Sequence, residues 1–192
     1  MNNNQKGDAP DADLGRRDFV ASVTAGVAAT AVSAAAAEQD VVETDVDIKM
    51  PEGTCDAAFI HPKSGSHPGV LIWSDAFGLR PSIRAMGRRL AAQGYSVLIP
   101  NPFYRLAKAP FTDASTFNFA TDMGKIQPLM ASVSAPGAAE KDAVAYIAWL
   151  DAQKQVNRKK KIGTQGYCMG GPLVVRTAAT VPDRVGAGGS KR

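Results

Sequence analysis

One thiol set between glycines, where a buried strand gives way to a helix, constrains this chain more than any other feature: Gly166-Tyr167-Cys168-Met169-Gly170-Gly171. Lys161 to Gln165 reads as the strand, entered from the basic tract Arg158-Lys159-Lys160, and Leu173, Val174, Val175, Ala178 and Ala179 belong to the helix that follows. In a Gly-x-nucleophile-x-Gly turn the outer glycines remove side chains that would block a sharp reversal, and the central residue is thrust up at the edge of the sheet. The same turn leaves unbonded N–H groups at the helix start, which favour a thiolate and can hold an oxyanion. Cys168 is therefore the candidate nucleophile, with Gly166, Gly170 and Gly171 shaping its elbow. The alternative for the same residues is a buried structural cysteine whose glycines only let strand and helix pack closely.

The rest of the chain supplies the sheet such an elbow needs. Val41 to Met50 alternates apolar and polar residues and reads as a half-buried strand, with Thr54 to Ile60 as a second. His61 to Pro68 is a turn by its Pro, Gly and Ser content. Gly69 to Trp73 is a continuous apolar run, as in a parallel strand covered on both faces. Ser82 to Gln93 places Ile83, Met86, Leu90 and Ala91 at helical spacing with Arg84, Arg88 and Arg89 outside, and Gly94 stops it. Tyr95 to Ile99 is another buried strand. Residues 101–136 are irregular by pattern and rich in Phe, the make-up of a lid or binding segment, and a partly helical excursion fits equally. Ala138 to Gln153 is a helix with Val144, Ile147, Ala148 and Leu150 on its apolar face. Strands alternating with helices predict an α/β fold with a mostly parallel, doubly wound sheet.

At 192 residues, 45% hydrophobic content and a formal charge of +4, one domain plus an appendage is expected. The basic residues are scattered and have no aromatic residues among them, which argues against a nucleic-acid partner. Cys55, the second cysteine, is expected to be a free residue packed in an early strand. The appendage is residues 1–37. Arg16-Arg17-Asp18-Phe19-Val20, the mildly apolar run from Ala21 to Val32 and the small residues Ser33 to Ala37 have the layout of a twin-arginine export signal. That layout implies the export machinery as a partner, membrane contact only during export, and a periplasmic or extracellular destination for a domain of residues 41–192. A tether that is never cleaved is the alternative.

From Val42 to Ser190 the chain resembles the dienelactone hydrolase family, α/β-hydrolases with Cys in place of Ser. The resemblance rests on Gly166 to Gly171 together with Ser74-Asp75-Ala76-Phe77-Gly78-Leu79, Ile83-Arg84 and Arg88 to Tyr95. It implies a hydrolase of small-molecule esters or lactones that needs no cofactor or metal and works through an acyl-enzyme on Cys168. The backbone N–H groups of Met169 and Ala76 would form the oxyanion hole. Asp75 stands where the family usually has a Glu that supports the thiol; read from the residue alone, it equally suits a helix cap or a loop-stabilising carboxylate. Asn101, after the fourth strand, departs from the acidic residue common there.

The resemblance also implies a triad acid and His after the nucleophile. No His follows Cys168, and Asp183 suits a turn better than a triad. His61 and His67 bracket a hairpin at the far end of the central strand. Gly186 to Ser190 resembles the family's next strand, so the expectation is a truncated hydrolase lacking its last strands and helices. Two further readings stay open: a non-catalytic exported relative, and a redox-responsive thiol protein.

Overall fold

The computed structural model describes residues 40–191. The predicted export signal lies outside them. A six-stranded sheet carries the order β1-β2-β4-β3-β5-β6. Its strands are β1 (Val41–Met50), β2 (Gly53–Pro62), β3 (Gly69–Trp73), β4 (Ser96–Pro100), β5 (Ile162–Tyr167) and β6 (Val185–Lys191). β1 and β2 form an antiparallel hairpin on the edge, and β2 joins β4 antiparallel. β4, β3, β5 and β6 run parallel. The mixed sheet with helices on both faces is an α/β-hydrolase-type fold.

The helices are α1 (Pro81–Ala92), α2 (Met123–Ser134), α3 (Ala138–Ala152) and α4 (Gly170–Thr180). The strands β3 and β4, apolar but for Ser96, are buried on both sides, and the two faces feed separate cores. On one face Val70, Ile72, Val97 and Ile99 meet Ile83 and Ala91 of α1. On the other, Leu71, Trp73 and Leu98 meet Tyr146 and Leu150 of α3 and Leu173 and Val174 of α4. The Trp73 indole donates to Thr177 Oγ1 at 2.9 Å, so its one polar atom is satisfied where the ring is buried.

Two sequence expectations need correction. The α3 face is rotated: Val144 and Ala148 point to solvent, and the buried stripe is Ala139, Asp142, Ala143, Tyr146, Ile147 and Leu150. Asp142 can lie on that stripe because Arg105 grips it with two bonds of 2.7 and 2.8 Å and the Tyr104 hydroxyl donates to it at 2.9 Å. The turn after the second strand is shorter than expected, since β2 continues through Pro62. Of the two readings left open for residues 101–136, the partly helical one matches, since the stretch holds α2 despite Pro128 inside the helix. Burial of Ile126, Leu129 and Val133 offsets the hydrogen bond that Pro128 cannot make.

Candidate active site

β5 delivers its chain to the carboxyl edge of the sheet and reverses there into α4. Cys168 sits at the apex with φ +50°, the single described non-glycine residue in the left-handed region, and its side chain is exposed. A left-handed cysteine costs on the order of 1–3 kcal/mol and persists only where its surroundings over-determine it. Two bonds do so: Gly171 N–H donates to the Cys168 carbonyl at 3.0 Å, and Cys168 N–H donates to the Lys191 carbonyl of β6 at 2.9 Å. The sharpness of the turn explains the glycines. A Cβ on Gly166 would penetrate the Gly170 carbonyl and stand 2.8 Å from Val174 Cγ2. One on Gly170 would stand 2.5 Å from the Trp73 carbonyl oxygen and 2.7 Å from that of Ser74.

That last contact lays the β3–α1 loop against the start of α4. The loop carries Asp75 and Ala76. Neither Ala76 N–H nor Met169 N–H donates a hydrogen bond to any described residue. Met169 N–H stands at the start of α4, where the helix dipole is positive.

Asp75 lies in the same loop but engages Arg80. Its carboxylate takes both Arg80 nitrogens at 2.6 and 2.7 Å and the Phe77 N–H at 2.9 Å, while its carbonyl receives Gly78 N–H at 3.0 Å. No described hydrogen bond joins it to Cys168. The geometry matches the loop-stabilising alternative. Arg80 is the residue that sequence reasoning missed; a basic residue five places after the acid, directly before Pro81 at the start of α1, was the available signal.

Asn101 is likewise a loop organiser. Wholly buried, it donates to Asp56 Oδ1 and the Ala107 carbonyl and accepts from Phe103 N–H. The histidines do not approach the elbow. Ile60 pairs with Val97 and Gly69 with Ser96, so His61 and His67 belong to the amino edge of the parallel strands, whereas Trp73 pairs with Gly166 at the other edge. Each ring is held locally, His61 to the Pro62 carbonyl at 2.7 Å and His67 to that of Ser64 at 2.8 Å. Asp183 is in the turn just before β6, also at the amino edge.

The two cysteines differ as expected. Cys55 is free and buried, near the Asn101 carbonyl at 3.3 Å and the Tyr146 hydroxyl at 3.4 Å. Burial pushes its thiol from 9.0 up to about 12, with the nearby charge of Asp56 adding to the rise. Iodoacetamide is therefore expected to label Cys168 first in folded protein, with Cys55 resisting to the highest pH tested. Peptide mapping across a pH series checks this, and earlier labelling of Cys55 would refute it. Between pH 9.0 and about 12 the unfolded chain gives up the Cys55 proton while the folded chain keeps it, so this thiol lowers stability as pH rises through that window.

With this geometry in place, the comparisons with known proteins are decisive for kinship. The dienelactone hydrolase family model matches residues 55–188. The chain belongs to that family. A carboxymethylenebutenolidase from Rhodococcus opacus is 28% identical over 141 residues, which is 70% of this chain and 48% of the relative. A solved dienelactone hydrolase-like promiscuous phosphotriesterase from metagenomic libraries is 26% identical, with a TM-score of 0.60 over 78% of this chain and 58% of its own. The solved structure titled m3DLH superposes with a TM-score of 0.64 at 23% identity, over 78% of this chain and 58% of its own. The chain thus spans about half the length of the Rhodococcus relative.

Proposed function

We propose that the chain is the nucleophile-bearing part of an exported hydrolase of small-molecule esters or lactones. Cys168 attacks the carbonyl carbon, the amides of Met169 and Ala76 hold the oxyanion, and expulsion of the alkoxide leaves a thioester on Sγ. The observation that carries this reading is the exposed Cys168, held at φ +50° on a glycine-walled elbow in a dienelactone hydrolase family chain. Asp75 acts here by fixing the loop that presents Ala76, through Arg80.

Turnover needs a base to activate water, and both histidines of the chain stand at the opposite edge of the sheet. General acid–base help is worth ~10²–10⁴-fold, so the chain as it stands is expected to give one burst of product per thiol and little more. Mixing it with 4-nitrophenyl acetate, counting nitrophenolate per chain and locating the acetyl group by mass spectrometry tests both halves. Acetylation elsewhere than Cys168 would refute the nucleophile; sustained turnover abolished by Cys168→Ala would refute the single burst.

A redox role for the thiol has support in the same exposure of Cys168, and reversible sulfenic acid formation without ester acylation would favour it. Export rests on Arg16-Arg17 and the weakly apolar run after them. Replacing both arginines by Lys should hold the protein in the cytoplasm. Normal secretion of that variant, measured by fractionation, would remove the twin-arginine reading.

A further inference from the structure

A cavity of about 660 Å³ opens between the start of α1 and the segment 110–115, walled by Arg80, Pro81, Pro110, Phe111 and Ala114 among others. That volume falls in the range that holds small organic molecules. The one cation among the described residues of its walls is already paired. Arg80 gives its guanidinium to both oxygens of Asp75 and to the Gly78 carbonyl. Asp113 Oδ1 accepts from the N–H and the hydroxyl of Ser115. A ligand entering the cavity thus meets proline and phenylalanine surface, a guanidinium already paired with Asp75, and a carboxylate, Asp113, that would repel a second one.

Phe111, in the cavity wall, packs close to Gly78 in the β3–α1 loop. Phe111 packs edge-on against buried Phe103 with ring centroids 5.1 Å apart. Gly78, at φ +69° and two residues after Ala76, lies so close that a Cβ there would stand 3.1 Å from Phe111 and 3.2 Å from Phe103. The β3–α1 loop therefore has the cavity wall on one side and, through the Trp73 and Ser74 carbonyls, the Cys168 elbow on the other.

We propose that this cavity takes an uncharged aryl or alkyl group of the ester and so sets the substrate class: neutral, apolar esters in preference to carboxylate-bearing ones. The proposal rests on the hydrolase reading for what happens to the ester bond. An apolar group gains from leaving water for the Phe111 and proline walls. A carboxylate would lose its hydration with no cation in return, because Arg80 is held by Asp75.

The test has a binding arm and a reaction arm, both on the full chain. Calorimetry with 4-phenylbutanamide and with 4-phenylbutanoate should give at least about tenfold tighter binding of the amide. Ala114→Trp, which fills the cavity, should weaken amide binding by a similar factor; Ser115→Trp at the exposed rim serves should that variant fail to fold. In the reaction arm Cys168 is acylated by 4-nitrophenyl 4-phenylbutanoate or by 4-nitrophenyl acetate. The Sγ–carbonyl bond forms, the bond to nitrophenolate breaks, and the thiol proton passes to buffer. The cavity-filling variant should slow the phenylbutanoyl reaction and spare the acetyl one. Equal affinity for amide and carboxylate, or amide binding unchanged in folded variants, overturns the cavity proposal. Selective amide binding with no acylation of Cys168 by either ester supports the cavity and overturns the hydrolase reading.

Discussion

Gly166→Ala is expected to destabilise the protein by about 3 kcal/mol or more, at the upper end of what overpacking costs, and to slow acylation of Cys168. The added methyl group would collide with the backbone carbonyl of Gly170, the first residue of α4, and with Val174 Cγ2 at 2.8 Å. A carbonyl at a helix start cannot rotate away as a side chain can, so β5 and α4 must separate and the left-handed turn at Cys168 loses its support. For a chain of this size each kcal/mol moves the thermal midpoint by about 2–4 °C, giving a fall of roughly 6–12 °C. Gly171→Ala is the informative contrast. Its Cβ would meet Ser190 Oγ at 2.5 Å, the end of a short side chain on exposed β6 that can turn aside. Gly163→Ala meets Val70 Cγ2 at an ordinary 3.6 Å. Equal midpoints for all three variants in scanning calorimetry would disprove this account of the elbow.

Arg105→Met is expected to cost about 3–5 kcal/mol, the penalty for leaving a buried charge without its partner. Asp142 is completely buried on α3, and Arg105 supplies two of its hydrogen bonds from the segment just after β4. Arg105 also reaches Glu52 in the β1–β2 turn and lies over the Tyr104 ring at 4.6 Å. Removing the guanidinium leaves Asp142 with the Tyr104 hydroxyl alone. The pair itself need not stabilise the fold relative to apolar residues of the same shape, so Arg105→Met combined with Asp142→Leu should recover much of the loss. Denaturant unfolding of the two single variants and the double variant measures this. A double variant as unstable as the sum of the singles would mean that the charges do not act as a unit.

The order of elements was legible because it depends on local pattern. An unbroken apolar run marked β3, a short, mostly apolar one marked β4, alternation marked β1, and the glycine spacing around Cys168 marked the strand-to-helix reversal that the φ of +50° realises. The site was legible only where backbone geometry alone defines it, at the thiol and its glycines. Side chains whose partners are distant were not. Sequence left Asp75 open between supporting the thiol and stabilising the loop, and the Arg80 that engages it once α1 begins at Pro81 went unread.

The same division runs through the whole molecule. By itself the sequence determined the α/β alternation, the elbow and the separation of a shielded Cys55 from an exposed Cys168, since each follows from periodicity or from the steric freedom of glycine. Tertiary structure alone decided that β2 lies against β4, that α3 turns Asp142 inward and Val144 outward, and that Phe111 walls a cavity beside the β3–α1 loop. Those outcomes depend on which distant groups meet, Arg105 with Asp142 or Gly78 with Phe111, and such meetings are fixed by the packing of the sheet and its helices and not by any stretch of neighbouring residues.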